Sequence, residues 1–212
     1  AQIDDSAAQE LLRFPVVRDF PHAHRREHSL EMQLPFLRVL FPDVRIVPML
    51  MGYQDHETIE ALGTALAAVA ASRRVLLVAS TDLSHYPSAA TASMVDRQTL
   101  QAILPLDLAS FHAVAHAASD RNIRGLSTRA CGEAPVMAAM AAARGLGASS
   151  GVLVSYAARP SAELFGALEH GDGNTAFCQG DCRRHAGVAA ADDGNTKPLP
   201  TSPCQGRSLL PP

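Results

Sequence analysis

Residues 80–86 (STDLSHY) bring serine and threonine hydroxyls, a carboxylate, an imidazole and a phenol into one short stretch. Directly before it, residues 75–79 (VLLVA) are apolar and rich in β-formers, the pattern of a buried strand in an α/β sheet. Such sheets place their ligand crevice just beyond the carboxyl ends of strands, so Asp82 and His85 can both face one. Two further islands carry chemistry: Glu27–His28–Ser29 and the lone Cys131. Brought together, the three would offer imidazole, thiolate and carboxylate, a donor set that suits iron, copper or zinc. A single thiolate argues against a closed structural zinc site.

Each island also has a plain structural reading. Asp82 can be a helix N-cap with His85 in the first turn. Cys131 can be a small buried hydrophobe, or a thiolate favoured by the start of the helix that follows it. His28 can cap or support rather than ligate, and Glu31 reads as the capping-box partner of His28 or Ser29. Other patterns carry less. His22 and His24 fall in a polar loop and read as solvated. His112 and His116 have the i, i+4 spacing of a metal-chelating pair, but Ala113 stands where the HExxH motif has its glutamate, so both read as surface residues. Cys178, Cys182, His185 and Cys204 imitate a zinc knuckle with irregular spacing. P-loop, dinucleotide-binding and nucleophile-elbow motifs are absent.

The elements that would position these groups follow from periodicity. Residues 6–14 form a short amphipathic run. Apolar positions from Leu30 to Phe41 approximate one helix face, with a boundary near Leu34 because Pro35 follows. Residues 44–51 (VRIVPMLM) read as a second buried strand, with Pro48 favouring an edge or bulge. Helices are expected over 56–72, 90–104 and 107–117, the last capped by Asp107. After a polar loop at 121–130, CGEAP opens a helix that ends on Gly145 or Gly147. Residues 151–157 (GVLVSYA) give the last strand. Strands alternating with helices predict an α/β fold, a sheet with parallel pairing flanked by helices. Residues 1–158 read as one domain, and 159–212, rich in Gly, Pro, Asp and Asn, as a disordered or non-native tail.

Composition bounds the function. The chain has 212 residues, 47% hydrophobic and 18% charged, enough for one real core. A net charge of −3 without long basic runs excludes a nucleic-acid footprint. No apolar run is long enough for a membrane span, and the first twenty residues lack a signal-peptide core. Of four cysteines only Cys131 lies in the patterned region, so no disulfide framework is expected and the cytoplasm is the default compartment.

Four segments in order, EHSLEMQLPFL (27–37), RIVPMLMG (45–52), STDLSHY (80–86) and ACGEAPV (130–136), resemble the Memo family, whose bacterial members are called AmmeMemoRadiSam system protein B. The resemblance covers roughly residues 1–157. It implies a fold similar to class III extradiol ring-cleavage dioxygenases of the protocatechuate 4,5-dioxygenase type. There two His and one Glu hold non-haem iron(II), and a further His acts as acid/base. Memo proteins keep a similar pocket with Cys in place of the Glu. Carried over, Cys131 matches that third metal-ligand position, His85 matches the acid/base histidine with Asp82 beside it, and Glu27 and His28 line the pocket.

The resemblance also implies that the family's first two metal histidines lie upstream of Ala1, so the sheet is expected to be incomplete at the N-terminus. Iron or copper is expected in the full-length protein and no cofactor in this chain alone. The family's closing YxxSGD…VGYAA segment is replaced after Ala157, as a frameshift would do. Exchange of Glu for Cys argues against ring cleavage, because a thiolate is softer and oxidisable. The resemblance thus implies a metal- and ligand-binding protein without established turnover. The alternative is an extradiol-type non-haem iron oxygenase or related redox enzyme. A small molecule or a peptide is the expected ligand, with neither nucleic acid nor membrane as partner.

Overall fold

Local capping chemistry sets most of the helices. In the computed structural model, which describes residues 1–52, 54–156, 164–170 and 173–179, α1 (Asp5–Leu11) starts where the Asp4 carboxylate accepts from the Ala7 N–H at 3.0 Å. α3 (His56–Ala70) starts at Asp55, whose carboxylate accepts from both the N–H and the hydroxyl of Thr58. α4 (Ala89–Ile103) is capped by Ser88 and α5 (Leu108–Ala115) by Asp107. Each cap satisfies a helix-terminal N–H that would otherwise lack a partner. α2 (Leu34–Leu40) has Pro35 in its first turn, where a missing N–H costs nothing. The boundary expected near Leu34 is therefore the helix start.

α6 (Glu133–Gly145) is alanine-rich and buried on nearly every side, including Ala134, Val136, Met137, Ala138, Ala139, Met140, Ala142 and Ala143. It packs against α3 through small residues. A Cβ added at Gly63 would lie 2.5 Å from the Ala141 Cβ, so the helices approach as closely as they do only because position 63 has no side chain. Around this pair Phe111, Leu106, Met140 and Val136 close the core. Arg73 of the α3–β3 connection ties α1 in place, its guanidinium 2.7 Å from the Glu10 carboxylate.

The strands are shorter than their apolar runs. β1 (Gln2–Ile3) pairs in parallel with β2 (Arg45–Ile46). The expected strand over 44–51 contracts to those two residues, because Pro48 has no N–H to give a ladder. Val47 and Met49 still pack against the core. β3 (Leu77–Ser80) belongs to a four-stranded sheet of order β3-β6-β5-β4, with β4 (Gly151–Ser155), β5 (Leu164–His170) and β6 (Gly173–Gln179). β3 and β6 are parallel, and the other two pairings are antiparallel. The architecture is mixed α/β with parallel pairing, as expected.

Two differences from the sequence reading stand out. β5 and β6 fall inside the segment 159–212 that reads as a tail, and the rest of that segment, including Cys182, His185 and Cys204, lies outside the described residues. The β3 run, read as buried, has an open face: Val78 is 36% exposed. No described helix is long and apolar enough to cross a membrane.

Candidate metal and ligand site

The chain leaves β3 at Ser80 and passes through Thr81, Asp82 and Leu83, all buried, before α4 begins. These residues are not helical and Ser88 caps α4, so the N-cap reading of Asp82 does not hold. A second loop, 124–132, runs beside this one on its way into α6. Backbone bonds join the two. His85 N–H donates to Thr128 O at 3.1 Å, Ser127 N–H donates to His85 O at 3.2 Å, and Cys131 N–H donates to Asp82 O at 3.2 Å. Side chains add to them. The Gly132 N–H donates to the Thr81 hydroxyl at 2.8 Å, and the Asp82 N–H donates to the Cys131 Sγ at 3.2 Å.

Two features fix the second loop. Arg129, 3% exposed, grips the Asp120 carboxylate with Nε and a terminal nitrogen, both at 2.7 Å, and donates to Gln98 at 3.0 Å. This planar two-pronged pairing sets orientation as well as distance. Gly125 has φ +82, and a Cβ there would fall 2.6 Å from the Tyr86 carbonyl oxygen. Tyr86 itself holds φ 68, a strained conformation for a non-glycine residue, directly after His85.

The result is that Asp82, His85 and Cys131 present ligand atoms all within 4.8 Å of one another. His85 Nε2 stands 3.4 Å from Asp82 Oδ2. The contact is long for a hydrogen bond, and among the described residues nothing makes a well-aligned one to this buried nitrogen. The Asp82 carboxylate first, and the Cys131 sulfur second, hold the imidazole proton and raise His85 to about 9. Burial pushes the Cys131 thiol up, but His85, the Asp82 N–H and the Thr81 hydroxyl together outweigh it, so the thiol is lowered from its ordinary value. The expected lowering is present, and it comes from His85 and the neighbouring loop. Cys131 is free and remains solvent-exposed.

Glu27 and His28 do not join this cluster. The Glu27 carboxylate accepts from the His28 and Ser29 N–H groups at 2.8 and 2.7 Å, which lowers its pKa. The capping-box reading of Glu31 does not hold, because α2 is entered at Gln33 without a side-chain cap. His28 points largely to solvent, its side chain 57% exposed. The segment nevertheless reaches the end of β3, because Gln33 donates to the Ser80 hydroxyl at 2.9 Å and that hydroxyl donates to the Ser29 carbonyl at 3.3 Å. Ser80 opens the stretch the sequence points to, whereas Gln33 carries no chemical motif of its own, and only a polar residue within an apolar run marks it. Asp96 also escaped notice. It accepts from the Ser84 N–H and the Tyr156 hydroxyl, both at 2.9 Å, and so ties the loop to α4.

The family model described as Memo-like protein matches residues 1–164. The chain belongs to the Memo family. Among its relatives, a MEMO1 family protein of Methanosarcina barkeri is 35% identical over 136 residues, covering 63% of this chain and 48% of that protein. A MEMO1 family protein of Nitrosopumilus maritimus is 32% identical over 158 residues, covering 73% of this chain and 54% of that protein. One from Methanopyrus kandleri is 34% identical over 160 residues, covering 74% and 54%. This Memo chain thus spans about half the length of the curated relatives it matches, and these relatives include archaeal proteins. No solved structure matches it.

Proposed function

We propose that this Memo-family chain supplies one wall of a pocket that holds iron or copper and a small ligand, in a protein that binds rather than turns over substrate. Convergence of Asp82, His85 and Cys131 within 4.8 Å carries the reading. The donors fit: a thiol lowered toward thiolate and a carboxylate beside it. The thiolate favours iron, copper or zinc over hard cations. Cys131 is the metal-facing donor. A metal bound there would supply Lewis acidity and, for iron or copper, electron transfer.

The remaining roles belong to the chain itself. With a pKa of about 9, His85 carries a proton at neutral pH and so acts as a donor toward an anionic ligand rather than as a ligand to the metal. Asp82 keeps that proton in place. Arg129 and the paired backbones hold the two loops in register.

Loading a full-length protein that contains this chain with iron(II) or copper(I) under anaerobic conditions, followed by metal analysis, tests this. About one equivalent is expected, lost in Cys131→Ala. Unchanged metal content in that variant would remove Cys131 from the site. The protonated His85 also favours a second reading, an extradiol-type oxygenase of dioxygenase-like fold that uses His85 as acid/base. Oxygen uptake with catechols and iron(II), abolished by His85→Ala, would establish it; none across a broad catechol panel would leave the binding reading standing.

A further inference from the structure

His112 and His116 lie one turn apart on the last turn of α5 and at its C-cap. Both rings face one carboxylate from another helix. His112 Nδ1 is 2.7 Å from Glu133 Oε1, and His116 Nε2 is 2.8 Å from Glu133 Oε2. The ring centroids are 4.5 Å apart. One ligand atom from each residue lies within 4.8 Å of the others. The glutamate missing after His112 in the sequence is thus supplied in space by the first residue of α6.

We propose that His112, His116 and Glu133 form a second metal site, with donors distinct from those of the Cys131 pocket, that takes a zinc-class divalent cation. Two imidazoles and a carboxylate are the donor set of three-ligand zinc sites, which leave the fourth position to solvent. Bonds of about 2.0–2.2 Å to such an ion separate tetrahedral donors by roughly 3.3 Å. The present contacts need open by only about half an ångström. The rings can supply that movement, because both histidine side chains are about 60% exposed, whereas Glu133 is 15% exposed and fixed at the helix start. Absence of sulfur and the two nitrogen donors favour copper(II), zinc and nickel over manganese, and all of these over magnesium or calcium. A bound ion would clip the end of α5 to the start of α6, two residues beyond Cys131.

The test is calorimetric titration of Zn(II) into the full chain carrying Cys131→Ser, with His112→Ala and His116→Ala added singly. Wild-type chain alkylated at Cys131 serves as a second parent, and circular dichroism checks the fold of each. Loss of about one Zn(II) equivalent in each histidine variant, with the His112 and His116 imidazole resonances shifting on titration of the parent, is the expected result. Unchanged stoichiometry in both variants, or Zn(II)-dependent shifts confined to other histidines, would overturn the site. Neither outcome bears on the Cys131 pocket, which both parents have disabled.

Discussion

Substituting Gly132 by alanine should damage fold and site together. The backbone there, φ −100 and ψ 40, is open to any residue, so the obstacle is space alone. The added Cβ would lie 2.4 Å from the Ser80 carbonyl oxygen and 2.8 Å from the Thr81 Cβ. An ordinary carbon–oxygen contact is about 3.3 Å, so the 131–133 segment must withdraw by roughly 0.9 Å. Backbone on one side and a buried threonine on the other leave little room to relax. That withdrawal stretches the 2.8 Å bond from Gly132 N–H to Thr81 and the 3.2 Å bond from Asp82 N–H to the Cys131 sulfur. Overpacking costs about 1–3 kcal/mol, and each lost hydrogen bond about 1 kcal/mol. The expected loss is about 2–5 kcal/mol, a large share of ordinary domain stability. Urea unfolding measures it, and the pH dependence of iodoacetamide alkylation should show the Cys131 thiol moving back up. Gly52→Ala is the control, since nothing lies within 4 Å of a Cβ there. A Gly132→Ala protein within about 0.5 kcal/mol of wild type, with an unchanged alkylation profile, would refute the claim that this close seam builds the site.

Asp82→Asn removes the main cause of the raised His85, so its NMR titration midpoint should fall from about 9 toward 6.5; an unmoved midpoint would separate the two residues. Because the folded value is the higher one, His85 stabilises fully below about 6.5 and loses that contribution as pH rises through about 9. Cys131 runs the other way, contributing above its ordinary value of 9.0 and losing the contribution as pH falls, so the wild-type pH slope belongs to the pair. Arg129→Met should cost about 1.5–3 kcal/mol in urea unfolding by stranding Asp120, and a cost near zero would mean the clamp does not hold the loop. Val39 and Leu40 on α2 are 79% and 65% exposed, so the chain should self-associate; light scattering should drop in Val39→Glu/Leu40→Lys, and an unchanged signal would exonerate that patch.

Capping signals made the helices readable. Asp55 and Asp107 stand where their helices begin, and Pro35 marks the start of α2, because these effects act within one turn of chain. The Asp82, His85 and Cys131 convergence was legible through the order of the family motifs, and through the switch from an apolar run to a polar one after residue 79. What sequence could not supply was partnership between distant segments. His112 and His116 read as surface residues because their glutamate comes from another helix. His28 read as a pocket residue because its motif does, whereas Glu27 turns inward on its own backbone and leaves the ring outside. Pro48 shortened β2 as a missing donor must.

The pairing of the 81–85 and 124–132 loops has a kinetic consequence. The amides of His85, Ser127 and Cys131 each donate across the seam, so none can exchange its hydrogen with solvent unless the two strands of chain part. They should therefore exchange at a common rate, as one opening unit. Because the Cys131 sulfur accepts the Asp82 N–H in the same seam, any chemistry at that sulfur, whether oxidation, alkylation or metal capture, should be recorded at the amide of Asp82 and at its neighbours across the gap.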